Sequence, residues 1–94
     1  MVRIYEANVL KYTDKTYGNP YSAVKVYHKD KLIGKNTQYG DADQNVYDTI
    51  SKNDSKYKDK GPMQIYKDKQ DGKVKVYMNV NETTRYRDLK QFAD

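Results

Sequence analysis

Hydrophobic and polar residues alternate in several short stretches of this chain, and strict alternation is typical of half-buried β-strands. The clearest pair of stretches predicts a hairpin, with strands at 21–28 and 31–39 joined by a Lys29-Asp30 turn. Residues 2–12 are also rich in strand-forming residues, but their alternation changes phase between Glu6 and Asn8. A phase change of this kind predicts a bulge or a strong bend in the first strand.

A helical spacing follows the predicted hairpin. Asp41 is a suitable N-cap, and Gln44 three residues later completes a relaxed capping box. Apolar residues then recur at spacings of four, one and three, which places them on one helical face: Ala42, Val46, Tyr47 and Ile50. The helix is predicted to end near Asn53, and the aperiodic residues 53–62 are predicted to form an exposed loop.

The last third of the chain predicts a second hairpin and a short helix. Residues 63–66 alternate, Asp71-Gly72 can turn, and residues 74–81 alternate most regularly of all. Residues 84–93 are predicted to form a short C-terminal helix. The predicted fold is α+β, a single domain over residues 1–94, with an antiparallel sheet of four or five strands and a helix on one face. Its predicted core comprises Val24, Val26, Val46, Ile50, Ile65, Val74, Val76 and Met78.

Composition supports one small folded domain, although aliphatic residues are scarce. Leu, Ile, Val and Phe number 16 of 94 residues, while tyrosines number 11. Tyrosine rings bury a large apolar area, so they supply core that leucine does not. With no cysteine the chain has no disulfide or thiol nucleophile. No apolar run is long enough to span a bilayer, and no apolar segment of the signal-peptide type follows Met1, so we expect a cytoplasmic protein.

Signals of catalysis are nearly absent from the sequence. His28 is the one histidine, and no nucleophile-elbow, phosphate-loop or dinucleotide-binding motif occurs. The segment from Asp41 to Asn45 opens like a calcium loop, but Val46 and Lys52 stand where an EF-hand needs glycine and glutamate. The sequence therefore predicts a protein that is not an enzyme and that needs no cofactor or metal.

Basic residues interleaved with tyrosines are the main functional signal. The chain has 18 Lys and Arg against 13 Asp and Glu, a net charge of +5. If the outward faces of the two predicted hairpins adjoin, four of these side chains lie close together on a wet sheet face: Lys25, Tyr27, Lys75 and Tyr77. Tyrosine can stack on bases and lysine can neutralise phosphates. A plain solvated surface also explains lysine-rich strands, because lysine protects sheet edges.

Other residues complete the set of candidate partner contacts. Tyr57 and Tyr66 lie in or beside predicted loops, together with Lys56 and Lys58. A small acidic group at the predicted helix, Asp41, Asp43 and Asp48, fits a basic surface on a partner. Tyrosines on predicted apolar faces are expected to be structural, namely Tyr5, Tyr47 and Tyr86.

The chain resembles the small accessory proteins of bacteriophages from low-GC bacteria. The resemblance rests on its length, its heavy use of Lys, Asn, Tyr and Ile, and the stretch from Val26 to Gly34 followed by Gln38-Tyr-Gly-Asp-Ala-Asp43 and a helix. Many such proteins counter host defence, including the anti-CRISPR class. The resemblance implies a non-enzymatic inhibitor that docks on a host protein, with a nucleic-acid-handling defence effector as one such target.

Two further functions stay open at this stage. A basic nucleic-acid-binding module would use the Lys/Tyr sheet face, and a third class would capture a small signalling nucleotide between tyrosines, with an oligomer interface as one location. The hairpin and helix also resemble half of a double-stranded RNA-binding domain, but Asp41 and Asp43 replace the basic cluster of that family. A host protein is thus the first expected partner, nucleic acid the second, and a membrane is not expected.

Overall fold

A computed structural model describes the backbone of residues 2–86 and the side chains of residues 2–81. Its elements, in chain order, are β1 (Arg3–Thr13), β2 (Pro20–His28), β3 (Lys31–Tyr39), α1 (Ala42–Asn53), α2 (Pro62–Gln70) and β4 (Val74–Tyr86). The strands form one four-stranded sheet in the order β3-β2-β1-β4. Neighbouring strands are antiparallel except for β4, which runs parallel to β1. The fold is α+β with a mixed sheet.

The first hairpin and α1 confirm the sequence predictions. Both residues of the Lys29-Asp30 turn have positive φ, 53° and 63°, the backbone twist that two-residue hairpin loops favour. Gly34 in β3 leaves room for α1, because a Cβ there would lie 2.4 Å from the side-chain nitrogen of Asn53. The hairpin therefore presses directly against the end of the helix.

The predicted bulge near Glu6 is wrong. Tyr5, Ala7 and Val9 are all buried, and β1 pairs with β2 without interruption from Tyr5 to Thr13. The apparent phase change arose from Val2 and Ile4, which are 40% and 44% exposed. Apolar side chains at the start of a strand need not face the core, since exposed apolar residues are common on protein surfaces.

The predicted second hairpin is also wrong, because its first strand is the helix α2. Gly61, with a φ of 79°, precedes Pro62 at the first helical position, where proline's missing N–H costs nothing. Ile65 on this helix is fully buried. The four alternating residues 63–66 are too few to separate a strand from a helical turn.

The strand β4 consequently pairs with β1 instead of returning beside a hairpin partner. Its predicted facing is confirmed at Val74, which is buried, and at Val76 and Met78, which pack against the core. The strand continues to Tyr86, so the predicted C-terminal helix is wrong over residues 84–86. The remainder of that prediction, residues 87–93, lies outside the described residues.

Both helices pack on one side of the sheet, which we call the covered face. Its core is the cluster of buried side chains from strands and helices, with Tyr5, Tyr47 and Tyr57 as the largest members. The predicted core residues Val24, Val26, Val46, Ile50, Ile65 and Val74 are all buried there. The opposite side, the open face, carries the alternate residues of the strands, and neither α1 nor α2 lies on it.

Candidate functional site

On the open face, Tyr27 and Tyr77, the two tyrosines predicted for a wet sheet face, lie in one row across the strands. Glu6 in β1 is the register partner of Tyr27 in β2 and also of Tyr77 in β4. The two tyrosines therefore flank Glu6 with one strand between them, roughly 10 Å apart at two strand spacings. Tyr77 is 54% exposed and Tyr27 is half-buried. This row offers two aromatic surfaces on a rigid support.

Lysines stand on both sides of the tyrosine row. Lys25 in β2 lies directly opposite Lys35 in β3, and Lys75 in β4 lies beside Ile4. Like charges directly opposite each other destabilise a sheet. Within residues 2–81 the one ion pair is between Arg3 and Asp54, at 2.8 Å, so neither Lys25 nor Lys35 forms an ion pair with a described carboxylate. Sequence reasoning missed Lys35 because its pairing with Lys25 depends on the hairpin register.

A trough of about 800 Å³ runs along the open face next to this lysine pair. Lysine, amide and hydroxyl side chains form its polar lining, with Tyr27 at one end: Asn8, Lys25, Lys35, Thr37, Asn79 and Asn81. Asn36 also borders the trough, although its own side chain is hydrogen-bonded to Gln38 and Asn45. Leu10 and Ala23, together with the buried Val24, are the apolar residues of the lining. No Asp or Glu among the described residues lines it. The trough is thus a concave, positively charged surface rich in hydrogen-bonding groups.

Packed tyrosine rings close the far end of the open face. Tyr12 stacks on Tyr21 with ring centroids 5.4 Å apart, and Tyr39 meets the edge of Tyr21 at 5.5 Å. The Tyr39 hydroxyl donates to Asp14 at 2.9 Å, and Asp14 also accepts from the Thr16 N–H. The hydrogen bonds from the backbone N–H of Thr16 and from the Tyr39 hydroxyl lower the pKa of Asp14. The same two hydrogen bonds hold the loop between β1 and β2 in place.

A second concavity, of about 410 Å³, lies between the start of β1 and the Lys29-Asp30 turn. Arg3, Lys29 and Lys56 line it together with the carboxylates of Glu6 and Asp30. His28 also lines it, and burial together with the positive charge of Arg3 lowers the pKa of its imidazole. Because Asp54 balances Arg3, positive and negative charges nearly cancel here, unlike in the trough.

The carboxylate of Asp54 fastens the loop after α1 to the sheet. Arg3 donates two hydrogen bonds to Asp54 from one terminal nitrogen, at 2.8 and 3.1 Å, and the Tyr5 hydroxyl donates another. The Lys56 N–H donates a further bond at 3.0 Å. Burial alone would raise the pKa of Asp54, but these donors and the charge of Arg3 lower it. The sequence analysis missed Asp54, because its partners are 51 and 49 residues away.

The predicted exposed loop is buried at two of its residues, Asp54 and Tyr57. The Tyr57 ring is 0% exposed, and its hydroxyl donates to Asp68 at 2.7 Å. Burial and this hydrogen bond raise the pKa of Tyr57. Tyr66 lies on α2 and not in a loop, with its ring 4.2 Å from that of Tyr47. Both rings serve packing, whereas Lys56 and Lys58 remain exposed.

The acidic candidates lie across the sheet from the trough, with Asp41 as the N-cap of α1 and Asp43 and Asp48 on the helix itself. Asp41 caps the helix by accepting from the Asp43 N–H at 3.4 Å, while Gln44 donates to Asp48 at 2.8 Å instead of completing the capping box. Asp48 also accepts from Gln38 at 3.1 Å. Of the three acids, Asp43 has an exposed side chain, and that side chain makes no hydrogen bond with another group of residues 2–81. The structure therefore separates the acidic group from the Lys/Tyr face.

Comparisons with protein-family models, curated proteins and solved structures find no match to this chain. Over the described residues, no helix combines the length and apolar character needed to cross a membrane. The same part of the chain contains no group of three or more His, Cys, Asp or Glu side chains arranged to hold a metal ion.

Proposed function

We propose that this protein binds single-stranded nucleic acid on the open face of its sheet and performs no chemical step of its own. The observation that carries the proposal is the Lys25–Lys35 pair beside Tyr27, in which neither lysine forms an ion pair within residues 2–81. A sheet that places two lysines opposite each other loses stability, and phosphate groups between them would remove that repulsion. Lys75, on the other side of the tyrosine row, supplies a third positive contact.

The tyrosine row favours a nucleic-acid ligand whose bases are unpaired and exposed. Sequence-tolerant binding of single strands combines a positive groove with aromatic side chains on which bases stack. Tyr27 and Tyr77 provide those rings on strands that the core holds rigidly, and Tyr27 also lines the trough. An intact duplex would leave both rings without a base to contact, because its bases are stacked inside the helix.

Docking on a host protein is the second candidate function, and one observation favours it. Several large apolar side chains are exposed on the open face, including Ile4 at 44%, Leu10 at 38% and Leu32 at 46%. Protein interfaces, however, are depleted of charge at their centre and polar at their rim. On this face the amides of Asn8 and Asn79 lie beside Lys25, while Glu6 is confined to the tyrosine row. This arrangement favours nucleic acid over a protein partner.

Salt-dependent binding of oligonucleotides tests the proposal. Fluorescence anisotropy with single-stranded DNA and RNA of about 12 nucleotides would be measured between about 50 and 200 mM salt. Three lysine–phosphate contacts predict roughly a 20-fold loss of affinity over this range, because each contact releases counterions. The double variant Lys25→Gln, Lys35→Gln should bind more weakly at low salt, and its affinity should fall only roughly 3-fold over the same salt range.

The control is Lys58→Gln, which removes an exposed lysine of the loop after α1 and should leave the salt dependence unchanged. Failure of every oligonucleotide to bind at about 50 mM salt would overturn the proposal. Protein docking would then be tested by whether Leu10→Asp abolishes capture of a host protein while Met63→Asp, on an exposed position of α2, does not.

A further inference from the structure

Amide side chains behave differently on the two faces of the sheet. On the covered face and between the helices they are hydrogen-bonded, as Asn36, Gln38, Gln44, Asn45, Asn53 and Gln64 all show. Asn45, for example, donates to the Ser22 carbonyl at 3.0 Å and accepts from Asn36 at 2.9 Å. On the open face the amides of Asn8, Asn79 and Asn81 make no hydrogen bond with another group of residues 2–81.

Asparagine is an unfavourable residue for the positions that these open-face amides occupy. It is depleted in β-strands, yet Asn8 stands in the middle of β1, one of the two central strands, and its register partner in β4 is Asn79. Asn81 follows on the same face of β4, beside Leu10. All three residues line the trough. No contact within the described chain accounts for placing three unpaired amides side by side.

We propose that Asn8 and Asn79, supported by Asn81, read the hydrogen-bonding edge of an unstacked base held in the trough, so that binding selects base identity. This inference rests on the proposed function. Each amide presents two N–H donors and one carbonyl acceptor, which match the mixed donors and acceptors of a base edge. Leu10 and Ala23 offer an apolar contact to the flat face of the same base, and Lys25 and Lys35 receive its phosphates.

Lysine and asparagine then have separable roles on this face. Phosphate contacts position a strand and carry no sequence information, whereas hydrogen bonds to base edges discriminate between bases. Removing a lysine should weaken binding to every sequence by the same factor and reduce the salt dependence. Removing the amide pair should change the ranking of sequences and leave the salt dependence as it was.

The test compares single-stranded homopolymers of about 12 nucleotides, oligo-dA, oligo-dC and oligo-dT and their RNA counterparts, by anisotropy at low salt. The wild-type protein should separate the best from the worst base by about 10-fold or more. In the double variant Asn8→Ala, Asn79→Ala the separation should fall below about 3-fold, with the slope of affinity against salt unchanged. Asn19→Ala, in the exposed loop between β1 and β2, is the matched control and should keep the full separation.

Two outcomes overturn this inference while the proposed function stands. Equal affinity of the wild-type protein for all homopolymers is one, and a base preference that survives in the double variant is the other. If the wild-type protein binds none of the homopolymers, the proposed function itself fails. Thermal melting establishes that the double variant is folded, and Asn8→Thr with Asn79→Thr, which suits a strand better, replaces it if the alanine variant does not fold.

Discussion

The covered and open faces of this sheet are built from the same strands, yet they satisfy their polar groups in opposite ways. On the covered face the buried carboxylate of Asp54 and the buried amide of Asn45 both have several protein partners. On the open face Lys25, Lys35 and Asn8 have none among the described residues. Buried polar groups must be paired for the fold to be stable, whereas exposed unpaired groups remain available to a ligand. The difference therefore separates the residues that stabilise the fold from those of the proposed binding surface.

Truncating one isoleucine on the covered face and one on the open face should give the largest difference in the free energy of unfolding. Ile50→Ala should lower the free energy of unfolding by about 3 kcal/mol, because Ile50 is 0% exposed and its truncation leaves a cavity in the core. Ile4→Ala on the open face should change that energy by less than about 0.5 kcal/mol. Urea denaturation of both variants measures the contrast. An equal loss in Ile4→Ala would mean that another part of the molecule covers the open face.

The second-largest effect on stability is expected at Asp54 on the covered face, and it should depend on pH. The pKa of Asp54 is lower in the folded protein than its ordinary value of 3.8, so its contribution to stability is present above that pH and is lost as the pH falls further. Asp54→Asn should cost about 2 kcal/mol at neutral pH, since Arg3 and Tyr5 lose a charged partner that is only partly screened by solvent.

The pH dependence distinguishes this carboxylate from a general effect of acid. Below the ordinary carboxyl pKa the difference in stability between wild type and Asp54→Asn should shrink, because the protonated wild-type carboxyl group is then uncharged, like the asparagine amide. The stability of Asp54→Asn should still depend on pH to some extent, because Asp14 and Asp68 also have lowered pKa values. A difference that stays constant down to acidic pH would contradict the assigned role of Asp54.

The smallest expected effect has the opposite sign and lies on the open face. Lys35→Gln should raise the free energy of unfolding by about 0.3 kcal/mol, because it removes the repulsion of the Lys25–Lys35 pair. Differential scanning calorimetry at low and high salt measures it, and salt should abolish the gain by screening the charges. A variant that is less stable than wild type at low salt would show that Lys35 supports the fold.

Much of the fold could be predicted from local pattern, and the errors have specific physical causes. The hairpin and α1 have long periodic segments and turn residues that agree with each other. The helix α2 was missed because four alternating residues outweighed the Gly61-Pro62 start signal. The parallel pairing of β4 with β1 was missed because a strand's own pattern does not specify its partner.

The candidate site was predictable in its residue types and not in its arrangement. Lys25, Tyr27 and Tyr77 were identified because outward positions of alternating strands are readable from sequence. Asn8 and Lys35 depended on which strands are neighbours, so they emerged only from the sheet register. Tyr57 was misplaced because its burial depends on Asp68, a residue of the helix that was not predicted.

The pairing of β1 with β4 has a consequence for the way this protein is made. The strand β1 includes Arg3, which pairs with Val74, so about 70 residues separate the two partners in sequence. During synthesis β1, β2 and β3 can assemble and α1 can pack on them before β4 has left the ribosome. The trough gains Asn79 and Asn81 only when β4 docks, so a nascent or truncated chain would expose β1 as an edge strand and would carry only part of the proposed binding surface.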